Sequence, residues 1–387
     1  MRFVFWFFTG LVASVFFLYP VIIFIIARIK GKAPLLDEKY QDPFVSVIVP
    51  MHNEENVAKA KAENLLLLDY PEDRIEVLFV LDGCTDRTKE YLSEYQAKGV
   101  RVIDDLPRKG KVAALNHAVP LARGEIIVFT DANSIHKRDS VRLLVRHFSD
   151  KRTGCVSGRL VYTFFASTIV GRGENLYWKY ESFIKKQESA LGRLLVTSGA
   201  IQAIRKEVYP FPDPDIADDF IIPLLVQLKG YRVLYEPESI VYEPITQILS
   251  EGFEQKVRVV SQGIKGFIRL FPVLFRLGPI SVFELLFHKA LRWEVGIYLF
   301  LIYAANIALW DNGLYSVLLV LQTLFYVLAL TGFFLKDRLK IKLFYVPFYF
   351  CIVIFSVIPA LFRVMRGANT HVWEKADSTR RQEDTVE

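Results

Sequence analysis

The chain has 387 residues, 52% of them hydrophobic, and a formal net charge of +6. It is too apolar for an ordinary soluble protein and long enough for one globular domain plus membrane spans, so composition predicts an integral membrane protein. Cys84, Cys155 and Cys351 lie far apart without metal-ligand spacing and suggest neither a disulfide framework nor a zinc site; the positive charge gathers beside apolar segments, which points to an anionic lipid surface and not to nucleic acid.

Residues 3–27 form an uncharged apolar stretch long enough to cross a bilayer, followed by Arg28, Lys30 and Lys32. No small-residue cleavage site follows it, so residues 1–32 read as a retained anchor with the next segment on the cytoplasmic face. A strand is expected over 45–49, ending at Pro50 and followed by Met51, His52, Asn53, Glu54 and Glu55. A helix over about 57–68 and a strand over 75–81, ending on Asp82, come next. The run from Gly83 to Thr88 has the small and capping residues that open a helix, expected to last to about Gly99. A third strand over 100–103 leads through Arg108, Lys109, Gly110 and Lys111 into a helix containing Asn116. The fourth strand lies in GEIIVFTDANS, where four apolar residues, 126–129, precede Asp131 and Asn133.

Repeated strand–helix units of this length predict an α/β domain with helices on both faces of a mixed, mainly parallel sheet. Polar residues collect where strands end, and ligands of such sheets sit beyond the carboxyl ends of the strands. The tetrapeptide after the fourth strand has two readings: a turn with a helix cap, or a pair of oxygen donors for a hard cation and the diphosphate it bridges. No G-x-G-x-x-G and no Walker A run is present.

VSVIVPMHNEEN, VLFVLDGCTDRT, RKGKVAALNHA and GEIIVFTDANS, in that order, resemble the signatures of inverting family 2 glycosyltransferases. These have the nucleotide-sugar-binding GT-A fold and include the cellulose, hyaluronan and chitin synthase-like enzymes. The resemblance implies that Pro50, Asn53, Glu55 and Asp82 line the nucleoside pocket, that Lys111 lies near it, and that Asp131 and Asn133 form the metal and diphosphate site for Mg2+ or Mn2+. Asn133 stands where many members have Asp, which lowers the charge offered to the cation. The implied donor is a nucleotide diphosphate sugar, a UDP-sugar first of all.

Residues 171–191 alternate aromatic and charged positions at helical spacing. They read either as an amphipathic helix packed on the sheet or as a sugar-orienting surface carrying Tyr177, Trp178 and Glu181. LVTSGAIQAIRKEVY follows, and in the family a similar loop, here Thr197, Ser198 and Gly199, adjoins the acceptor. Asp218 and Asp219 open a helix ending near Gly230, where the dipole alone would favour acids. The family's acidic pair implies that Asp219, with Asp218 before it, is the catalytic base that takes the acceptor proton. GFEQKVRVVSQG resembles the Q-x-x-R-W helix of processive synthases, with Gln255 and Arg258 as donor contacts but Val259 where tryptophan is expected. That departure favours a single transfer over polymer synthesis.

Residues 267–293 mix apolar residues with Arg269, Arg276, Lys289 and Arg292 around Pro272 and Pro279, as broken interfacial helices do. Apolar runs follow at 295–310, 314–335 and 343–362. Lys336, Arg338, Lys340 and Lys342 should lie inside; crossing at every run would send the tail out, whereas Arg363, Arg366, Lys375, Arg380 and Arg381 argue for keeping it in. Trp373 is expected to pack at the interface.

The expected domains are 1–32, an anchor; 44–250, the GT-A domain; 251–293, interfacial helices; 294–365, membrane helices; and 366–387, a polar tail. The resulting expectation is transfer of a sugar to a lipid-linked or growing glycan acceptor at the cytoplasmic face, with membrane lipids as partners and no nucleic acid. A processive polysaccharide synthase and a non-catalytic nucleotide-sugar sensor or scaffold are the alternatives.

Overall fold

The computed structural model describes residues 1–31, 40, 42–163, 169–246, 248–335, 341–367 and 377–380. The chain divides into a sheet unit, residues 30–163, 185–246 and 369–387, and a helical unit, residues 1–29, 164–184 and 247–368. Lys336, Arg338, Lys340, Trp373, Lys375 and Arg381 lie outside the described residues.

The sheet unit contains eight strands: β1 (Val45–Met51), β2 (Ile75–Asp82), β3 (Val100–Leu106), β4 (Ile126–Thr130), β5 (Ile135–His136), β6 (Thr153–Thr163), β7 (Ile201–Arg205) and β8 (Arg232–Pro244). Their order is β3-β2-β1-β4-β7-β6-β8-β5. The four strands expected from the apolar runs form the parallel half, with Val45 opposite Ile75 on one side and Ile126 on the other. β7 then runs antiparallel to both β4 and β6, while β6 and β8 pair in parallel, so the sheet is mixed.

Every residue of β4 is buried, which is why its sequence is continuously apolar and does not alternate. Val47, Val49, Phe79, Leu81 and Val128 share one core, and burying each such side chain stabilises by roughly 1.5–3 kcal/mol. The helix expected to reach Gly99 is instead two pieces, Thr88–Ser93 and a 3-10 turn at Gln96–Lys98. Gly99, at φ +89°, ends it in the left-handed region, where a side chain is strained.

In the helical unit three helices are long and apolar enough to cross a membrane: Arg2–Lys30, Gly313–Phe334 and Lys342–Met365. A shorter apolar helix spans Val295–Ala308. Phe5 packs with Ile302, Ala305 and Tyr315, and Phe8 with Tyr298, so the first helix runs antiparallel to the short one. The amphipathic helix Leu249–Leu270 precedes a 3-10 segment, Phe271–Leu277, and a helix opened by Pro279. These are the breaks expected at Pro272 and Pro279; each proline sits in the first turn of its segment, where its missing N–H removes no helical bond.

Candidate active site

At the carboxyl ends of the parallel strands three loops are bonded to one another. Asn53, after β1, adopts φ +52°; its Oδ1 accepts from Thr85 N at 2.7 Å and its Nδ2 donates to Thr85 Oγ1 at 3.1 Å. Glu55 Oε2 accepts from Arg87 N at 3.1 Å, and Glu54 N donates to Thr88 Oγ1 at 2.8 Å. Asp82, at the end of β2, is buried and accepts from Lys109 N at 2.6 Å and Gly110 N at 2.8 Å. It thereby fixes the turn that opens the helix Lys111–Leu121. Asn53, Glu55 and Asp82 thus share one cradle, and all three make loop-to-loop bonds. Pro50 lies within β1, opposite Val80.

The turn held by Asp82 aims Lys111 into the centre of the site. Its Nζ lies 2.7 Å from Asp131 Oδ1 and 3.3 Å from Asp218 Oδ2, and it donates to the Gly199 carbonyl at 3.1 Å. Burial opposes its charge, but Asp131 and Asp218 outweigh that and hold Lys111 above the ordinary lysine value. A Cβ on Gly199 would stand 3.0 Å from Lys111 Nζ, so glycine is what permits this approach. Asp218 is buried and also accepts from Gln202 Nε2 at 3.1 Å; burial raises its pKa, Lys111 opposing. Asp219, the next residue, is half-buried, and its backbone carbonyl accepts from Thr197 N at 2.9 Å. Ser198 and Gly199 belong to the same loop, so five expected site residues, Lys111, Asp131, Ser198, Gly199 and Asp218, meet here.

Asp131 and Asn133 are both half-buried and offer two oxygen donors. Among the described residues no group of three or more His, Cys, Asp or Glu could hold a metal ion. The pair fits a hard cation that takes its other oxygens from water and a diphosphate, and not a site closed by protein alone.

Beneath this loop lies a buried polar network that the motifs do not reveal. Lys61 Nζ, fully buried, donates to Thr130 Oγ1 at 2.9 Å and to the Ser134 carbonyl at 2.5 Å, so one cation grips both ends of the Asp131–Asn133 turn. Ser134 Oγ donates to Glu243 Oε1 at 2.5 Å, and His136 bridges Thr130 and Ser140. Burial lowers Lys61 to about 7, against the pull of Asp131 and Glu243, and raises Glu243 to about 7. A signal for Lys61 was present: with Ala58, Ala62 and Leu65 it falls on the buried face of the helix Ala58–Leu66.

Trp178, Gln255 and Arg258 belong to the helical unit and are not among the side chains that meet around Lys111. Trp178 Nε1 donates to Glu174 Oε1 at 3.2 Å, and Gln255 is exposed on Leu249–Leu270.

Residues 46–210 match the sequence profile of the family described as glycosyl transferase family 2. A probable glycosyltransferase of Bacillus subtilis is 27% identical over 231 residues, 56% of this chain and 54% of its own length. A poly-beta-1,6-N-acetyl-D-glucosamine synthase of Staphylococcus epidermidis is 25% identical over 70% of this chain and 68% of its own. A beta-monoglucosyldiacylglycerol synthase of Nostoc is 29% identical over 49% of this chain and 42% of its own. This chain therefore spans only about half the length of two of these three relatives. Among solved structures, a mannosyltransferase of Pyrobaculum calidifontis in complex with GDP-Man and Mn2+ superposes with TM-score 0.69, at 22% identity, over 92% of this chain and 97% of its own.

Proposed function

Because the chain is a family 2 glycosyltransferase with the GT-A fold, we propose that it moves a sugar, with inversion, from a nucleotide diphosphate sugar to a lipid-linked or glycan acceptor at the cytoplasmic membrane face. The observation that carries this reading is the convergence of Asp131, Lys111 and Asp218 beside the Ser198–Gly199 loop. A single protonated lysine flanked by two carboxylates can release one of them to a bound cation and turn toward the diphosphate.

Asp131 and Asn133 would hold the divalent cation, which supplies charge neutralisation for the departing diphosphate. Lys111 remains charged across the physiological range and adds a fixed positive charge there. Asp219 is the base: its carboxylate takes the acceptor O–H proton as that oxygen bonds to the anomeric carbon. The bond from that carbon to the diphosphate oxygen breaks, and the electron pair leaves with the nucleoside diphosphate. Asp218 is buried and bound to Lys111 and Gln202, which suits it to positioning and leaves the half-buried Asp219 for proton transfer.

The names of the Staphylococcus relatives favour a second reading, repeated transfer to a growing polymer. The exposed Val259 at the position expected to be tryptophan favours single transfer. A third reading, a sensor that binds nucleotide sugar without turning it over, runs against the retention of both Asp131 and Asp219.

The test is nucleotide release from UDP-, GDP- and dTDP-sugars with Mn2+ or Mg2+ in native-membrane extract, comparing the native chain with Asp219→Asn. Release that collapses in the variant is expected, and product size separates single from repeated transfer. Equal release from both would remove Asp219 from the reaction, and binding without release would favour the sensor.

A further inference from the structure

We propose that Glu243, at the end of β8, is a positioning residue for the cation and diphosphate site: by holding the Ser134 hydroxyl it fixes the turn that presents Asp131 and Asn133. This role rests on the glycosyltransferase reading.

Antiparallel pairing of β5 with β8 sets Ile135 opposite Tyr242 and His136 opposite Val241, and Lys137 N donates to the Ile240 carbonyl at 3.0 Å. One step further in the same register brings Ser134 opposite Glu243, and these two side chains bond, Ser134 Oγ donating to Glu243 Oε1 at 2.5 Å. Both residues are buried, so losing one partner leaves the other desolvated and unpaired. Glu243 is itself held from the other edge of β8. There β6 sets Tyr162 opposite it, and Thr163 Oγ1 donates to the Glu243 carbonyl at 3.2 Å.

The helix Ala58–Leu66 ties the rest of residues 130–136. Lys61 donates to Thr130 Oγ1 and to the Ser134 carbonyl. One turn on, along the same face, Asn64 grips the backbone of His136: its Nδ2 donates to the carbonyl at 2.9 Å and its Oδ1 accepts from the N–H at 2.7 Å. Ser134 N closes the turn on the Asp131 carbonyl at 3.3 Å, and Ala132 is buried in the core of the sheet. Of residues 131–134 only Asp131 and Asn133 are left partly exposed.

Two protein oxygens offer a cation few contacts, so its affinity depends on holding them in place before it arrives with the diphosphate. Groups that orient metal-holding residues typically contribute roughly 10–100-fold in metal affinity. Ser134, next to Asn133, is held by its carbonyl from one element and by its hydroxyl from another, and the second hold is Glu243. The same strand carries a control. Glu236, earlier on β8, is likewise a buried carboxylate, but it pairs with Arg146 at 2.5 Å and with His147 Nε2 at 2.7 Å and makes no bond to the turn.

The experiment uses the full chain in detergent. It reads Mn2+ binding in the presence of UDP, GDP or dTDP by electron paramagnetic resonance of the free ion, and the unfolding temperature without ligand. Glu243→Ala and Glu236→Ala should both lower the unfolding temperature, but only Glu243→Ala should weaken Mn2+ binding, by about tenfold. Glu243→Gln, which keeps an acceptor for Ser134, should recover most of that affinity. If Glu243→Ala does not fold, Ser134→Ala, which removes a single hydroxyl, should weaken binding in the same direction. Unchanged Mn2+ affinity in the folded variant, or an equal loss in Glu236→Ala, overturns the positioning role while leaving the donor site standing. No Mn2+-dependent nucleotide binding by the native chain would overturn the donor-site reading itself, and the role of Glu243 with it.

Discussion

Asp218 in the sheet unit and Glu181 in the helical unit are both buried carboxylates held by cations, and they differ in what stands beside them. Asp218 shares Lys111 with Asp131, whose side chain is 31% exposed. Glu181 meets His288 Nε2 at 3.0 Å, Arg292 at 2.5 Å and Lys289 at 3.8 Å, and the side chains of Glu181 and His288 are 4% and 0% exposed. A nearby acid on the same helix, Glu174, is likewise enclosed, by Lys256 at 2.8 Å and Tyr349 at 2.7 Å. The residue types are the same, yet only the cluster with a wet edge can exchange a protein contact for a ligand. The enclosed ones neutralise charge inside apolar surroundings, so an acid–base cluster reads as chemistry only when water or substrate can reach it.

The largest effect that would sharpen this contrast is on folding. Glu181→Ala leaves Arg292 and His288 without their carboxylate and should cost about 3–5 kcal/mol, seen as a fall in unfolding temperature in detergent, with donor KM unchanged in the folded fraction. A large change in KM with little loss of stability would instead make Glu181 part of the active site.

Asp131→Ala should do the reverse. Turnover should fall by about 10²–10³, while the unfolding temperature stays near that of the native chain because Lys111 keeps Asp218. Retained turnover would break the comparison.

Lys61→Met is predicted to fall between the two. Removing its ammonium leaves Thr130 Oγ1 and the Ser134 carbonyl without that donor, at a cost of about 1–3 kcal/mol, and lets the Asp131 turn loosen, so donor KM should rise as well. Calorimetric stability and steady-state kinetics on one preparation check both halves.

The smallest effect is a change of slope with pH. Burial raises Glu243 from 4.5 to about 7, with Asp131 adding to it, so the folded state favours the protonated form. That contribution is fully present below pH 4.5 and is lost as pH rises through about 7. Glu243→Gln should flatten the stability profile across this window, and an unchanged profile would show that the carboxyl is ionised throughout.

Much of the sheet unit was legible because its signals are local. A strand buried on both faces must be continuously apolar, so β1, β2 and β4 stood out, each followed by the polar residues of the site. The antiparallel β7 was not legible as such, since five residues of LVTSGAIQAIRKEVY carry no mark of direction. Lys61 and Glu243 escaped because nothing nearby in sequence announces the partner of a buried charge. Lys61 could have been caught as a lysine on an otherwise apolar helix face; Glu243 had no comparable mark. In the helical unit hydropathy marks the long apolar helices, but a window average does not tell which residues pack on one another, such as Phe5 against Ile302, Ala305 and Tyr315.

What the sequence determined by itself was the fold class and the candidate residues at the strand ends. Strand ends, turns and the spacing of Asp82, Asp131, Asp218 and Asp219 follow from backbone sterics and burial, which act over a few residues. Which acids are open and which are sealed, and which lysine grips the Asp131 turn, were decided only by tertiary structure. The reason is physical: a charge's role depends on its desolvation and its partner, and both are set by contacts from segments tens to hundreds of residues away.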